Sequence, residues 1–144
     1  MHTVRDILRA KGHDVWTISP DATVYEAISR MAEKNVGALV VVERDRVIGI
    51  VSERDYARKV ILHGKASRDI AVHEIMTSPV YYVRPQQTVE ECMMQMTDKH
   101  IRHLPVLEED RLIGVISIGD AVKAIIAEQQ FVIRQLEDYI TGRR

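Results

Sequence analysis

Apolar residues along the chain follow two patterns, helical spacing and short continuous runs. After Thr23 they recur at i, i+3, i+4, i+7 and i+8, which predicts a helix with one apolar face: Val24, Ala27, Ile28, Met31 and Ala32. Similar spacing follows Thr88. Because Thr23 and Thr88 each precede a glutamate by three residues, the pattern of a capping box, we expect both helices to begin there.

Four short runs of aliphatic residues, many of them β-branched, predict buried strands. They cover 37–42, 47–51, 104–107 and 112–116, and a polar turn separates the two members of each pair. A further helix is expected to begin near Ser52 and another near Ser117. With a strand before each capping box, the predicted order is strand, helix, strand, strand, helix, and it occurs twice.

The two sets of elements are copies of one unit. Residues 18–56 align with residues 83–121 without a gap, at a constant offset of 65. Residues 4–8 also match 72–76, which predicts a short leading helix before each copy, at 3–11 and at 67–76. The predicted parts are a first repeat with its leading helix at 1–66, a second repeat at 67–127 and a helical tail at 128–144.

The tail carries a partly periodic apolar stripe. Two interpretations remain open: the stripe binds a partner, most simply a second copy of this chain, or it folds back over its own sheet. Its members are Ile125, Ile126, Phe131, Val132, Leu136 and Ile140.

Composition narrows the function classes. The chain has 20 Lys and Arg against 21 Asp and Glu, so nothing favours nucleic-acid binding or attachment to a membrane through basic residues. The single cysteine, Cys92, excludes a disulfide framework and a multi-cysteine metal site. His100 and His103 have no nearby cysteine or carboxylate cluster, so we predict no metal site. The longest apolar run, 38–42, is too short to span a membrane, and we expect a cytoplasmic protein.

A Ser-x-x-Asp motif follows a glycine-containing strand in each copy, at Ser52–Asp55 and Ser117–Asp120. A helix N-terminus offers unpaired N–H groups and a positive dipole end to phosphate, and its aspartate could accept ribose hydroxyls. The same motif is also a capping box, which stabilises a helix without any ligand. Arg54 lies in the first motif where the second has Gly119, and it is either a phosphate ligand or a solvated arginine.

Together these motifs resemble the CBS domain family, specifically a tandem CBS pair. The resemblance rests on 35–41 and 100–106, each followed by a charged turn, and on 47–55 and 112–120. It implies an α/β (α+β) fold in which two β-α-β-β-α repeats pack about a pseudo-two-fold axis, with helical N- and C-terminal extensions. It also implies a regulatory module that binds adenosyl compounds in clefts between the repeats and has no catalytic residues.

The resemblance assigns ligand-binding roles to particular residues. Asp55 and Asp120 would bind ribose; Arg102 and His103 would reach phosphate beside Asp120. The aromatic residues Trp16 and Tyr81 would either stack on adenine or cover a sheet edge. The full set of expected cleft residues adds Val36, Gly37, Ala38, Ile50, Ser52, Arg54, Ile101, Val115, Ser117 and Gly119.

The expected regulatory ligand is AMP, followed by ATP or ADP and then NAD, with S-adenosylmethionine as a further candidate. Arg54 predicts that the Asp55 cleft prefers phosphorylated ligands more strongly than the Asp120 cleft. We expect a homodimer that acts on an effector protein in trans, without a membrane or nucleic-acid partner. The alternatives are an interaction scaffold with vestigial clefts and a nucleotide-processing enzyme, although no nucleophile–base pattern or Walker-type loop supports the enzyme.

Overall fold

The computed structural model describes residues 2–142 and divides into two compact units. The N-terminal unit comprises residues 14–81 with the turn 109–112, and the C-terminal unit comprises 2–13, 82–108 and 113–142. The mixed α/β class is confirmed. The described helices and strands are α1 (Val4–Lys11), β1 (Thr17–Ile18), α2 (Val24–Lys34), β2 (Ala38–Glu43), β3 (Arg46–Ser52), α3 (Glu53–Lys59), α4 (Val89–Lys99), β4 (His103–Glu108), β5 (Arg111–Ser117) and α5 (Ile118–Thr141).

The N-terminal unit is built on a three-stranded sheet in the order β1-β2-β3. β1 runs parallel to β2, and β2 runs antiparallel to β3 with Ala38 opposite Ser52. Arg44 and Asp45, between β2 and β3, both have positive φ, the conformation of a two-residue hairpin turn that matches the twist of the strands. Helix α2 and both long strands contribute to a core that also includes Ile70, Val72 and Ile75.

The C-terminal unit repeats this plan with a smaller sheet. β4 and β5 pair as a two-stranded sheet. Val83 forms a single parallel bridge to Val106 at the place where the first repeat has β1. The first strand predicted for the second repeat is therefore reduced to this bridge.

The predicted capping residues begin the two central helices. The hydroxyl of Thr88 accepts from the N–H of Glu91, and the carboxylate of Glu91 accepts from the N–H of Thr88, which completes a capping box. The hydroxyl of Thr23 accepts a hydrogen bond from the N–H of Glu26. Thr23 therefore caps α2 through the first of the two capping-box bonds. Both helices end at a residue with left-handed backbone, Asn35 and His100.

The two units exchange the segments that precede the repeats. In the C-terminal unit, the N–H of Val4 donates to the carbonyl of Gln87 at 2.8 Å, and α1 buries Val4, Ile7 and Leu8 in the core. In the N-terminal unit, the N–H of Val72 donates to the carbonyl of Ala22 at 2.8 Å. Each unit thus combines one repeat with the leading segment of the other, whereas the predicted boundaries at 66 and 127 follow the sequence repeat.

The leading helix predicted at 67–76 is absent, and a single 3-10 turn, Val72–Glu74, stands in its place. The backbone groups needed for an α-helix are already bonded to the start of α2. The carbonyl of Ile70 accepts from the N–H of Val24 at 2.9 Å, and the N–H of Val72 donates to Ala22. Pairing with α2 therefore overrides the local tendency to form a helix.

The tail continues α5 without a break. α5 has 24 residues and ends at Gly142 with φ 76, a left-handed conformation that glycine adopts without strain. Residues 126–127, 129–137 and 139–141 are exposed, so the tail does not fold back over a sheet. Phe131, included in the predicted stripe, lies on the opposite face from Ile133 at 100° per residue. Arg143 and Arg144 of the predicted tail lie outside the described residues.

None of the helices within residues 2–142 combines the length and the apolar character that a membrane span requires.

Candidate functional site

Both Ser-x-x-Asp motifs form capping boxes. The N–H of Ser52 donates to Asp55 at 2.9 Å, and the N–H of Asp55 donates to the Ser52 hydroxyl at 3.2 Å. The corresponding distances for Ser117 and Asp120 are 2.8 and 3.1 Å. The capping interpretation is confirmed for both copies. The side chain of Asp55 remains 14% exposed and that of Asp120 17%, so part of each carboxylate is still accessible to a ligand.

Asp120 is held by a lysine from α1. Lys11 Nζ lies 2.7 Å from Asp120 Oδ2 and also donates to the carbonyl of Val115 at 2.9 Å. Burial opposes ionisation of Asp120, but hydrogen bonds from Lys11 and Ser117 outweigh it and hold the pKa of this carboxyl below its usual value. Oδ1 of Asp120 accepts no hydrogen bond from residues 2–142, which leaves an ionised oxygen with free lone pairs.

Asp55 has a similar cation but a different arrangement. Lys59 Nζ lies 3.1 Å from Oδ1, and Oδ2 accepts from Ser52. Lys59 also donates to the carbonyl of Ile75 at 2.8 Å, which fixes its position. Both oxygens of Asp55 are therefore engaged, so the two copies are not equivalent as acceptors.

Basic side chains stand beside Asp120 at the start of α5. The N–H of Ile118 donates to the carbonyl of Arg102 at 2.8 Å, which joins the segment before β4 to the helix N-terminus. Arg102 is exposed and forms no ion pair with a described residue. Burial lowers the pKa of His103, an effect that the nearby Asp120 partly opposes and that Lys11 and Arg102 reinforce. The structure thus brings four predicted residues together: Arg102, His103, Ser117 and Asp120.

The first copy presents smaller groups in the same place. The carbonyl of Gly37 accepts from the N–H of Glu53 at 3.1 Å, and Ala38 lies opposite Ser52 in the sheet. Arg54 forms no ion pair within residues 2–142. The segment beside the Asp55 cap is therefore small and uncharged, as the sequence indicated.

The other predicted residues are more dispersed. Ile50 is buried and pairs with Thr77, while Ile101 follows the left-handed turn at the end of α4. Trp16 is 37% exposed, and its ring contacts the Lys34 ammonium at 4.5 Å. Tyr81, 38% exposed, ends the continuous part of the N-terminal unit. Gly119 is exposed on the first turn of α5.

An apolar cleft of about 450 Å³ lies between α2 and the start of α3. It includes two predicted residues, Val36 and Gly37, but neither Ser52 nor Asp55. Its polar lining residues are Asn35, Glu53 and Tyr56. The complete lining is Ile28, Met31, Ala32, Asn35, Val36, Gly37, Glu53 and Tyr56.

Sequence analysis missed the two lysines that contact the aspartates. Lys59 lies four residues after Asp55, a spacing at which oppositely charged helix residues meet, so its role could have been predicted. Lys11 is 109 residues from Asp120 and belongs to the leading helix, so no local pattern identifies it. Among residues 2–142, no group of three histidine, cysteine or acidic side chains could hold a metal ion.

Acidification tests the environment of His103. Its pKa is depressed in the folded protein, so protonation favours the unfolded chain, and His103 should lower stability as the pH falls below about 6.5. We expect His103→Gln to flatten the decrease in the free energy of unfolding between about pH 7.5 and about pH 5.5, measured by urea denaturation. If the free energy of unfolding fell equally with pH in the two proteins, the result would contradict a depressed pKa for His103.

Comparison with known proteins identifies relatives that contain CBS domains. The family model described as CBS domain matches residues 4–62 and 72–127. The mitochondrial CBS domain-containing protein CBSX3 of Arabidopsis thaliana is 40% identical over 150 residues, covering 97% of this chain and 72% of that protein. A solved protein with CBS domains from Burkholderia ambifaria MC40-6 is 53% identical, with a TM-score of 0.86 over 89% of this chain and 96% of that one.

A more distant structure has the same fold. The CBS domain pair of protein MJ0100 is 22% identical, with a TM-score of 0.78 over 89% of this chain and 98% of that one. It was solved in complex with 5′-methylthioadenosine and S-adenosyl-L-methionine. With two matched domains that cover most of its length, the chain belongs to the CBS domain family as a tandem pair, a regulatory module.

Proposed function

We propose that the chain is a regulatory sensor that binds an adenosyl nucleotide at the starts of α3 and α5, with AMP as the first choice. ATP or ADP, NAD and S-adenosylmethionine follow as candidates. Asp55 and Asp120 accept ribose hydroxyls, and nearby basic side chains receive the phosphate. The adenosyl ligands held by the MJ0100 pair support this class of ligand.

The observation that carries the proposal is the state of Asp120. Its carboxylate is ionised, oriented by Ser117 and Lys11, and has one oxygen without a hydrogen-bond donor among the described residues. An ionised acceptor at a helix N-terminus, beside Arg102 and His103, suits a ligand with hydroxyl donors at one end and negative charge at the other. A nucleoside monophosphate has both.

The two sites are proposed to differ. At Asp55, Arg54 lacks an ion-pair partner within the described residues, so a phosphate would satisfy a charge that otherwise opposes the helix dipole. The Asp55 site therefore favours phosphorylated ligands more strongly. At Asp120, the free carboxylate oxygen favours the ribose and makes this site the stronger one for the nucleoside portion.

Signalling requires that the ligand bind two states of the protein unequally. We infer that the chain works as a homodimer in the cytoplasm and that an adenosyl nucleotide shifts its conformation or assembly. An effector protein then recognises one of the two states.

A thermal unfolding panel identifies the ligand. The purified protein is heated with AMP, ADP, ATP, NAD, S-adenosylmethionine or, as a control, GTP. A ligand at a hundred times its Kd adds about 2.7 kcal/mol per site, so we expect a rise in Tm of several degrees for one or two adenosyl ligands and none for GTP. Mass spectrometry of the native protein checks for a ligand retained during purification. An unchanged Tm throughout, with empty protein, would favour an interaction scaffold.

A further inference from the structure

From Val122 to Ile140, α5 carries an apolar face that the described residues of its own chain leave exposed. Ala121 is the buried residue of this helix, and the residues after Ile125 extend beyond the packed core. Five apolar side chains along the centre of this face are exposed: 41% at Val122, 49% at Ile126, 53% at Ile133, 57% at Leu136 and 81% at Ile140. Continuous exposure of this size on a helix indicates an interaction surface.

The spacing on this face is that of a coiled coil. Starting at Val122, the positions advance by four and three residues in alternation, a heptad pattern, so that the face keeps in contact with a partner helix. Three isoleucines fall at the first core position (a), and three other residues fall at the second (d). The seam consists of Ile126, Ile133 and Ile140 at a, and Val122, Gln129 and Leu136 at d.

The two flanks of the seam differ. One flank is apolar, with Val132 and Tyr139 exposed and Ile125 already packed against the core of the C-terminal unit. The other flank is polar, with Lys123, Gln130 and Glu137. Phe131 lies on the back of the helix, away from both flanks and the seam. The chemistry of the flanks therefore decides which partner orientation fits.

An antiparallel second copy matches both flanks. In that orientation each flank faces the same flank of the partner, so Lys123 meets the partner's Glu137 and Gln130 meets the partner's Gln130. The apolar flank meets itself, with Val132 near the two-fold axis. In a parallel pair, Val132 would instead face the partner's Glu137, and Lys123 would have no acidic residue opposite.

The core layers agree with the same register. In that register, Ile126 would pack against the partner's Leu136, and Ile140 would pack against the partner's Val122. Ile133 would pack against the partner's Gln129. One register thus pairs the apolar core residues in the outer layers and the opposite charges.

We propose that residues 122–140 form an antiparallel two-helix coiled coil with a second copy of this chain. The seam spans less than three heptads, about 28 Å at 1.5 Å per residue. So short a coiled coil forms a reversible dimer, sensitive to single substitutions in the seam. This interface does not depend on nucleotide binding and gives the regulatory module a defined route of assembly.

Sedimentation of the full chain over a range of concentrations tests the interface. We expect a reversible dimer whose Kd rises by more than about tenfold in Ile133→Asp, because a buried charge replaces a core isoleucine. The matched control is Phe131→Asp, which introduces the same charge two residues away on the back of the helix and should leave the Kd unchanged. A monomeric native protein, or a dimer that Ile133→Asp does not weaken, would overturn the proposal.

A charge exchange tests the orientation. Lys123→Glu and Glu137→Lys each place like charges together in the antiparallel dimer and should weaken it, whereas the double exchange restores the pairing. A parallel dimer would show no such rescue. Circular dichroism of each variant confirms that the fold is intact. Weakening by both single exchanges without recovery in the double variant would also reject the proposed register.

Discussion

Leu8→Ala is expected to lower the free energy of unfolding by about 3 to 5 kcal/mol, the range for a fully buried leucine in a core that cannot collapse around the cavity. Leu8 is 0% exposed and packs against Gly114 of β5, where an added Cβ would lie 2.5 Å from its Cδ2. The glycine thus provides the space that the leucine fills. Urea denaturation of the two proteins measures the difference.

Leu62→Ala is the matched control for this substitution. Leu62 is 77% exposed, so the same change in side chain should alter stability by less than about 0.5 kcal/mol. The contrast tests whether the leading helix is a structural part of the C-terminal unit. A loss below about 1 kcal/mol for Leu8→Ala would show that α1 is dispensable for that core.

Asp120→Ala is expected to raise the Kd for the adenosyl ligand by about 10- to 150-fold, because the charge-assisted hydrogen bonds to the ribose hydroxyls are lost. The substitution also removes the N3 carboxylate of the capping box and its ion pair with Lys11, so binding is measured by calorimetry well below the Tm. Asp55→Ala should have a smaller effect, because both oxygens of Asp55 already have partners in the protein.

Asp138→Ala provides the control on the same helix. It makes the same substitution on α5, far from the helix N-terminus, and should leave the Kd unchanged. Equal losses for Asp120→Ala and Asp138→Ala would indicate an effect of net charge. No loss for Asp120→Ala, with wild-type binding intact, would remove Asp120 from the site.

The repeat and the capping motifs made most of the fold predictable. Thr88, Ser52 and Ser117 begin helices because their side chains satisfy N–H groups of the first turn, and this is a local property that sequence alone reveals. The hairpin turns are equally local. Strand positions followed from β-branched runs, and each predicted boundary of the four long strands differs by one residue from the observed one.

Non-local pairing explains what the sequence could not predict. Residues 67–76 match the first leading helix in pattern, yet their backbone bonds the start of α2 and allows only a 3-10 turn. Lys11 reaches Asp120 only because α1 packs with the second repeat. The same exchange of leading segments makes the compact units differ from the sequence repeats.

Direct titration of the wild-type protein with AMP by calorimetry tests the central claim. We predict saturable binding with no more than two sites per chain, displaced by other adenosyl ligands and insensitive to GTP. The absence of binding heat at two temperatures, with AMP and with each other adenosyl ligand, in protein shown by mass spectrometry to be empty, would contradict the claim.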